Sequence, residues 1–228
     1  MKWRDARTIG GLCSVALGLS YVVASVSYLL LPPDQKGGTI LHEPARYLAS
    51  VARDPAMLVV NHLTFGVGAL IGIGVVIAVR DWTRHLEAGW MSWLSALGGL
   101  GFAVTAVDNF QIAAIDPMRA ADFVRADPIA RTALTVTNSL VSIDPQMWLS
   151  FGLTGLWISG VSWLAFARKL LPPVYSLLGA AAAASYLLIE IASVTGSPAL
   201  LVASASLGGL VVGPVWYLRL GVALLRSA

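Results

Sequence analysis

Residues 101–117 read GFAVTAVDNFQIAAIDP. The run is apolar enough to lie in a bilayer, yet it carries Asp108, Asn109 and Gln111 in its interior. An Asp at the centre of a membrane helix costs roughly 2.5–3.5 kcal/mol on insertion, so such a residue faces a protein interior and finds a partner there. Helical spacing puts Thr105, Asp108 and Ile112 on one face, with Asn109 beside it. This stretch needs other helices packed around it.

The rest of the chain supplies them. Of its 228 residues 57% are apolar and 12% charged, and the mean hydropathy is +0.76; a soluble domain has about 25% charged residues. Apolar runs at about 9–31, 56–79, 90–115, 147–167, 174–194 and 199–225 each approach or exceed the ~20 residues that cross a ~30 Å hydrocarbon core. The first is longer than the ~7–15 apolar residues of a secretory signal and is read as a retained span, ended by Pro32-Pro33. The expected fold is therefore all-α, a polytopic bundle of six transmembrane helices forming one integral membrane domain over residues 1–228. Gly213-Pro214 is expected to kink the last span, since proline lacks a backbone donor.

Lys and Arg outside the apolar cores set the orientation. One side collects Lys2, Arg4, Arg7, Arg80, Arg84, Arg168, Lys169, Arg219 and Arg226; the other collects Lys36, Arg46, Arg53, Arg119, Arg125 and Arg131. The richer side is cytoplasmic, and both termini lie there. The two long connections, 32–55 and 116–145, then face outward. Asp54-Pro55, Asp116-Pro117, Asp127-Pro128 and Asp144-Pro145 each place an N-cap acceptor before a residue preorganised for the first helical position. Short amphipathic helices at 117–126 and 128–141 are expected, within a cap over residues 116–146 of the outer face. Gly68 with Gly72, Ala180 with Ala184, and Gly208-Gly209 supply small faces for helix packing.

Depth along each span groups the polar residues. Asn61 and His62 lie one to two turns below the outer surface, Asp108 about two turns and Glu190 about one. Tyr186, Glu190 and Ser193 share a face. A hydrogen-bonded cluster of Asn61, His62, Asp108, Asn109 and Glu190, with Thr105 and Tyr186 beside it, is expected beneath the cap. Three roles stay open for it: a structural network, a ligand-binding pocket, or a catalytic or proton-handling site with Asp108 and Glu190 as acid and base.

Several chemistries are excluded by inventory. Cys13 is the single cysteine, so no internal disulfide or cysteine metal cluster forms. A haem held by two histidines is ruled out because His62 is the one histidine inside a span, and Lys2, Lys36 and Lys169 leave no mid-helix lysine for a retinal Schiff base. One His and two acids on three helices lack a local metal-binding motif, and no metal is assigned. The glycine pairs follow no strand and form no phosphate loop. The basic balance, net charge +3 and pI about 9.2, is spread singly along the chain, so nucleic acid is not a partner.

The stretches IGGLCSVALGLSYVVASVSYLLLPP, DPAMLVVNHLTFGVGALIG and GGLVVGPVWYLRLGVALLR together resemble bacterial six-span membrane proteins catalogued as domains of unknown function. The resemblance implies a location in the bacterial inner membrane and brings no catalytic residue or cofactor with it. From the residues themselves, the leading expectation is binding of a small amphiphilic or apolar molecule, such as a lipid, quinone or isoprenoid. The alternatives are a membrane enzyme acting on such a molecule through Asp108 or Glu190, and an accessory or assembly subunit with a membrane-protein partner.

Overall fold

A computed structural model describes residues 6–36, 39, 43–86, 88–137, 142–144 and 147–227. Lys2, Arg4, the last residues of the expected helix, 138–141, and the end of the expected cap, 145–146, lie outside them. Nine α-helices occur among the described residues, with no β-strand: α1 (Ala6–Leu30), α2 (Pro44–Arg53), α3 (Ala56–Thr83), α4 (Ala88–Arg125), α5 (Pro128–Val136), α6 (Leu153–Ala167), α7 (Pro173–Thr195), α8 (Pro198–Ser206) and α9 (Gly213–Ser227). Six stretches are long and apolar enough to cross a membrane: α1, α3, α4, Trp148–Ala167, α7 and Ala199–Ser227.

These six close into a ring. α1 packs on α3 and α9, α3 on α4, α4 on α6, α6 on α7, and α7 on α9. Lipid offers apolar side chains no hydrophobic contrast, so association rests on close packing, which small residues permit. A Cβ at Gly98 of α4 would stand 2.5 Å from Cγ of Trp157, and one at Gly72 of α3 would stand 2.6 Å from the Phe102 ring. Gly68 meets Ser20 of α1 and Gly208 meets Ser185 and Tyr186, as packing faces should. Ala180 and Ala184 are exposed instead and face lipid. At the centre, Trp157, Trp216, Tyr217 and Phe102 form a chain of ring contacts, with Trp216 and Tyr217 centroids 4.9 Å apart.

The expected break at Asp116-Pro117 does not occur. α4 runs on through Pro117 for 38 residues, about 57 Å at 1.5 Å per residue, well beyond a ~30 Å hydrocarbon core. Asp116 is not an N-cap: its Oδ2 accepts from the Tyr47 hydroxyl of α2 at 2.5 Å, and both residues are 2% exposed. Ala120, Tyr47, Leu48 and Val51 bury around that bond with Leu31 and Leu58. This α2–α4 packing carries the helix past its missing backbone donor.

Asp127 does cap. Its Oδ1 accepts from the backbone N–H groups of Ile129 and Ala130 at 2.8 and 2.9 Å, and α5 then runs back antiparallel to α4. Arg131 donates to the carbonyls of Phe123 and Val124, and Arg119 donates to Thr137 Oγ1 at 2.6 Å. α2, α5 and the end of α4 thus form a helical cap at one end of the ring. In the last span the Gly213-Pro214 pair follows a π-helical turn, Leu207–Val212, in which the Gly213 N–H reaches back to Gly208 O. The wider turn absorbs the disruption that proline brings.

Candidate functional site

The residues expected to converge divide among four sets of partners: Asn61, the His62–Asn109 pair, Asp108 and Glu190. Asn61 and His62 are neighbours on α3, so their side chains point about 100° apart. Asn61, 2% exposed, turns to α1, where its Nδ2 donates to Ala24 O at 2.6 Å and Ser27 Oγ at 2.9 Å. It joins two helices and stands apart from the rest of the set.

His62 turns to α4. Its Nδ1 lies 2.8 Å from Asn109 Oδ1, while Asn109 Nδ2 donates to Thr105 O at 2.8 Å. With the amide so oriented, Oδ1 is the acceptor and His62 Nδ1 carries the hydrogen, which leaves Nε2 as the ring's free acceptor in the neutral form. Thr105 Oγ1 bonds back to Gly101 O, one turn earlier.

Asp108 serves a different partner. Its Oδ1 accepts from the backbone N–H of Ile143 at 3.1 Å, holding residues 142–144, which precede α6, against α4. Asp144 follows at once. Its Oδ2 accepts from Ser150 N at 2.7 Å and Ser150 Oγ at 2.8 Å, so it caps the helix start at a residue six positions on. Between them Met147 adopts φ 62°, the left-handed region that non-glycine residues rarely occupy. The chain then enters α6 through a second π-helical turn, Trp148–Gly152. Irregular turns of this kind collect at functional sites.

Glu190 of α7 faces that turn. A Cβ at Gly152 would stand 3.5 Å from Glu190 Cδ and Oε1, so the glycine leaves the room the carboxyl occupies. Oε1 is buried and makes no hydrogen bond of good geometry, while the Gly152 backbone N–H acts on the carboxyl. Asp144 stands close enough to act on Glu190 by like-charge repulsion. Glu190 borders a groove of about 350 Å³, walled by Trp148, Gly152, Leu153 and Leu156 on one side and Leu187 and Val194 on its own. Tyr186, one turn along, is 3% exposed and points into the core, where its ring packs edge-on against Phe151 at 5.2 Å and its phenol meets Tyr21.

The structure therefore brings His62, Asn109 and Thr105 together, ties Asp108 to the segment before α6, and sets Glu190 in an apolar groove beside that segment's end. Spacing along a span is readable from sequence, but azimuth is not, and azimuth divides the set. Asp144, Met147, Ser150 and Gly152 went unnoticed as site residues. The Asp144-Pro145 pair was the available signal, and it pointed to a cap at the next residue rather than to Ser150.

Six long apolar helices around a packed aromatic centre define a polytopic, all-α integral membrane protein. Residues 12–226 match the family model described as Domain of unknown function (DUF4386), and the chain belongs to that family. No curated protein and no solved structure matches it. Among the described residues no three His, Cys, Asp or Glu side chains group closely enough to hold a metal ion.

Proposed function

We propose that the protein binds a small amphiphilic molecule, a lipid, quinone or isoprenoid, taken laterally from the bilayer into the groove between α6 and α7, with its polar end at Glu190. One observation carries this: a carboxyl oxygen buried in an apolar wall with no hydrogen bond of good geometry, the Gly152 backbone N–H being the protein donor that acts on the carboxyl. A buried polar atom without a partner costs about 1–3 kcal/mol, and a ligand's polar end removes that cost. Asp144 bonds Ser150 of the π turn that forms one wall, and Asp108 holds Ile143 beside it, so both position the site without touching the ligand. His62, with Asn109, offers an acceptor on the neighbouring side of α4.

The distribution of Lys and Arg supports an inner-membrane orientation with both termini cytoplasmic and the cap outside. The groove then opens to the outer leaflet. Native mass spectrometry with lipid extraction of gently purified protein tests the binding. A tightly held amphiphile is expected in the wild-type protein, with loss in Glu190→Leu at an unchanged melting temperature. A groove that is empty in every preparation overturns the assignment.

A further inference from the structure

A second groove, about 550 Å³, lies on the opposite flank of α6, between it and α4, and is walled by Trp90, Trp93, Ser159, Gly160 and Trp163. It shares Leu156 with the Glu190 groove. Gly152, Leu156, Ser159 and Trp163 recur at helical spacing and form one stripe along α6. The two hollows thus adjoin across that stripe, with Leu156 standing between them as the saddle. From Gly152 to Trp163 the stripe runs eleven residues, about 16 Å. At its far end Trp90 and Trp93 stack with centroids 5.1 Å apart, and Trp163 is 62% exposed facing the same hollow.

We infer that the two grooves form one track for a single long-chain amphiphile whose head donates a hydrogen bond, an amine or alcohol, to Glu190 Oε1 and whose apolar chain crosses Leu156 to end among Trp90, Trp93 and Trp163. This rests on the amphiphile binding proposed above and names its ligand class. Charge decides the head: among the described lining residues Glu190 is the one ionisable group and none is a Lys or Arg, so a phosphate head meets the carboxylate with no cation to compensate. Packing decides the chain. An apolar chain gains no hydrophobic energy on leaving lipid for a protein groove. Its preference comes from dispersion contacts along a wall of matching length, anchored by the hydrogen bond at one end.

The test uses the full-length protein in lipid nanodiscs with photoreactive probes carrying a diazirine at the chain terminus: hexadecyl amine, hexadecyl alcohol, octyl alcohol and hexadecyl phosphate. The expected hexadecyl amine and alcohol labels fall on residues 90–94 and 159–163 severalfold above other lipid-facing segments, while the octyl label falls near Leu153 and Leu156. Hexadecyl phosphate labels no segment preferentially. Ser159→Trp, in the second groove and outside the walls of the Glu190 groove, blocks the path beyond Leu156 and abolishes the hexadecyl label at Trp163 while leaving the octyl label in place. Hexadecyl label spread evenly over all the helices, or equal labelling by the phosphate, overturns the inference. If octyl alcohol labels near Glu190 but the hexadecyl label does not reach the tryptophans, the track fails and the Glu190 site stands. If no probe labels near Glu190, the binding function itself fails.

Discussion

Asn61 and His62 show how one residue step separates two tasks. Both sit at the same depth, but 100° of helical rotation gives one to α1 and the other to α4. Asn61→Ala removes the α1 bonds, and interhelical hydrogen bonds in membranes are worth about 0.6–1.7 kcal/mol. A melting temperature a few degrees lower, with ligand retained, is the expected outcome. Tyr47 offers a sharper test. Burial, and the Asp116 carboxyl beside it, push its phenol above the ordinary tyrosine value. The folded protein keeps that proton after the unfolded chain, with a pKa near ~10, has released it, so the contribution is full below about pH 10 and declines as pH rises further. Tyr47→Phe is expected to cost about 1–3 kcal/mol near neutral pH and to soften the alkaline decline, both read by thermal unfolding across pH.

At the scale of the element, local signals were reliable where nothing larger competed. Asp127-Pro128 starts α5 as its capping chemistry requires. Asp116-Pro117 carries the same two residues and starts nothing, because Tyr47 claims the carboxyl and α2 packs across the junction. An interior proline costs a helix about 3 kcal/mol relative to alanine. Pro117→Ala is therefore expected to raise the melting temperature, by up to that amount in stability, without altering the cap; a lower melting temperature would show that the proline ring is needed there. Met147 makes the opposite case. Its left-handed backbone costs about 1–2 kcal/mol, and Met147→Gly is expected to recover part of it. Ligand retention should fall in the same variant, since a looser turn no longer holds Gly152 against Glu190, and native mass spectrometry reads both states.

Across the whole molecule, six crossings put both chain ends on one side and the cap on the other. In a Cys13→Ala background, a cysteine introduced at Thr137 is expected to react with a membrane-impermeant thiol reagent on intact cells, and one at His85 only after lysis. The reverse pattern would invert the orientation and move the Glu190 groove to the inner leaflet. Much of this level was legible beforehand. The number of spans, the apolar run of each, the all-α class and the family likeness follow from composition and run length, which are properties of the chain taken a stretch at a time. What tertiary structure alone decided was rotation and partnership: which face of each helix meets which neighbour, that Asp116 is consumed by Tyr47, that Asp144 reaches six residues on to Ser150, and that Glu190 is left with an unpaired oxygen. A membrane span is apolar nearly all round, so its sequence holds little contrast between one face and the other to set its azimuth. The close fit of glycines against facing side chains, aromatic at Gly72 and Gly98 and aliphatic at Gly11 and Gly18, together with the interhelical hydrogen bonds of Asn61 and His62, sets the faces that meet, and the site follows from that fit.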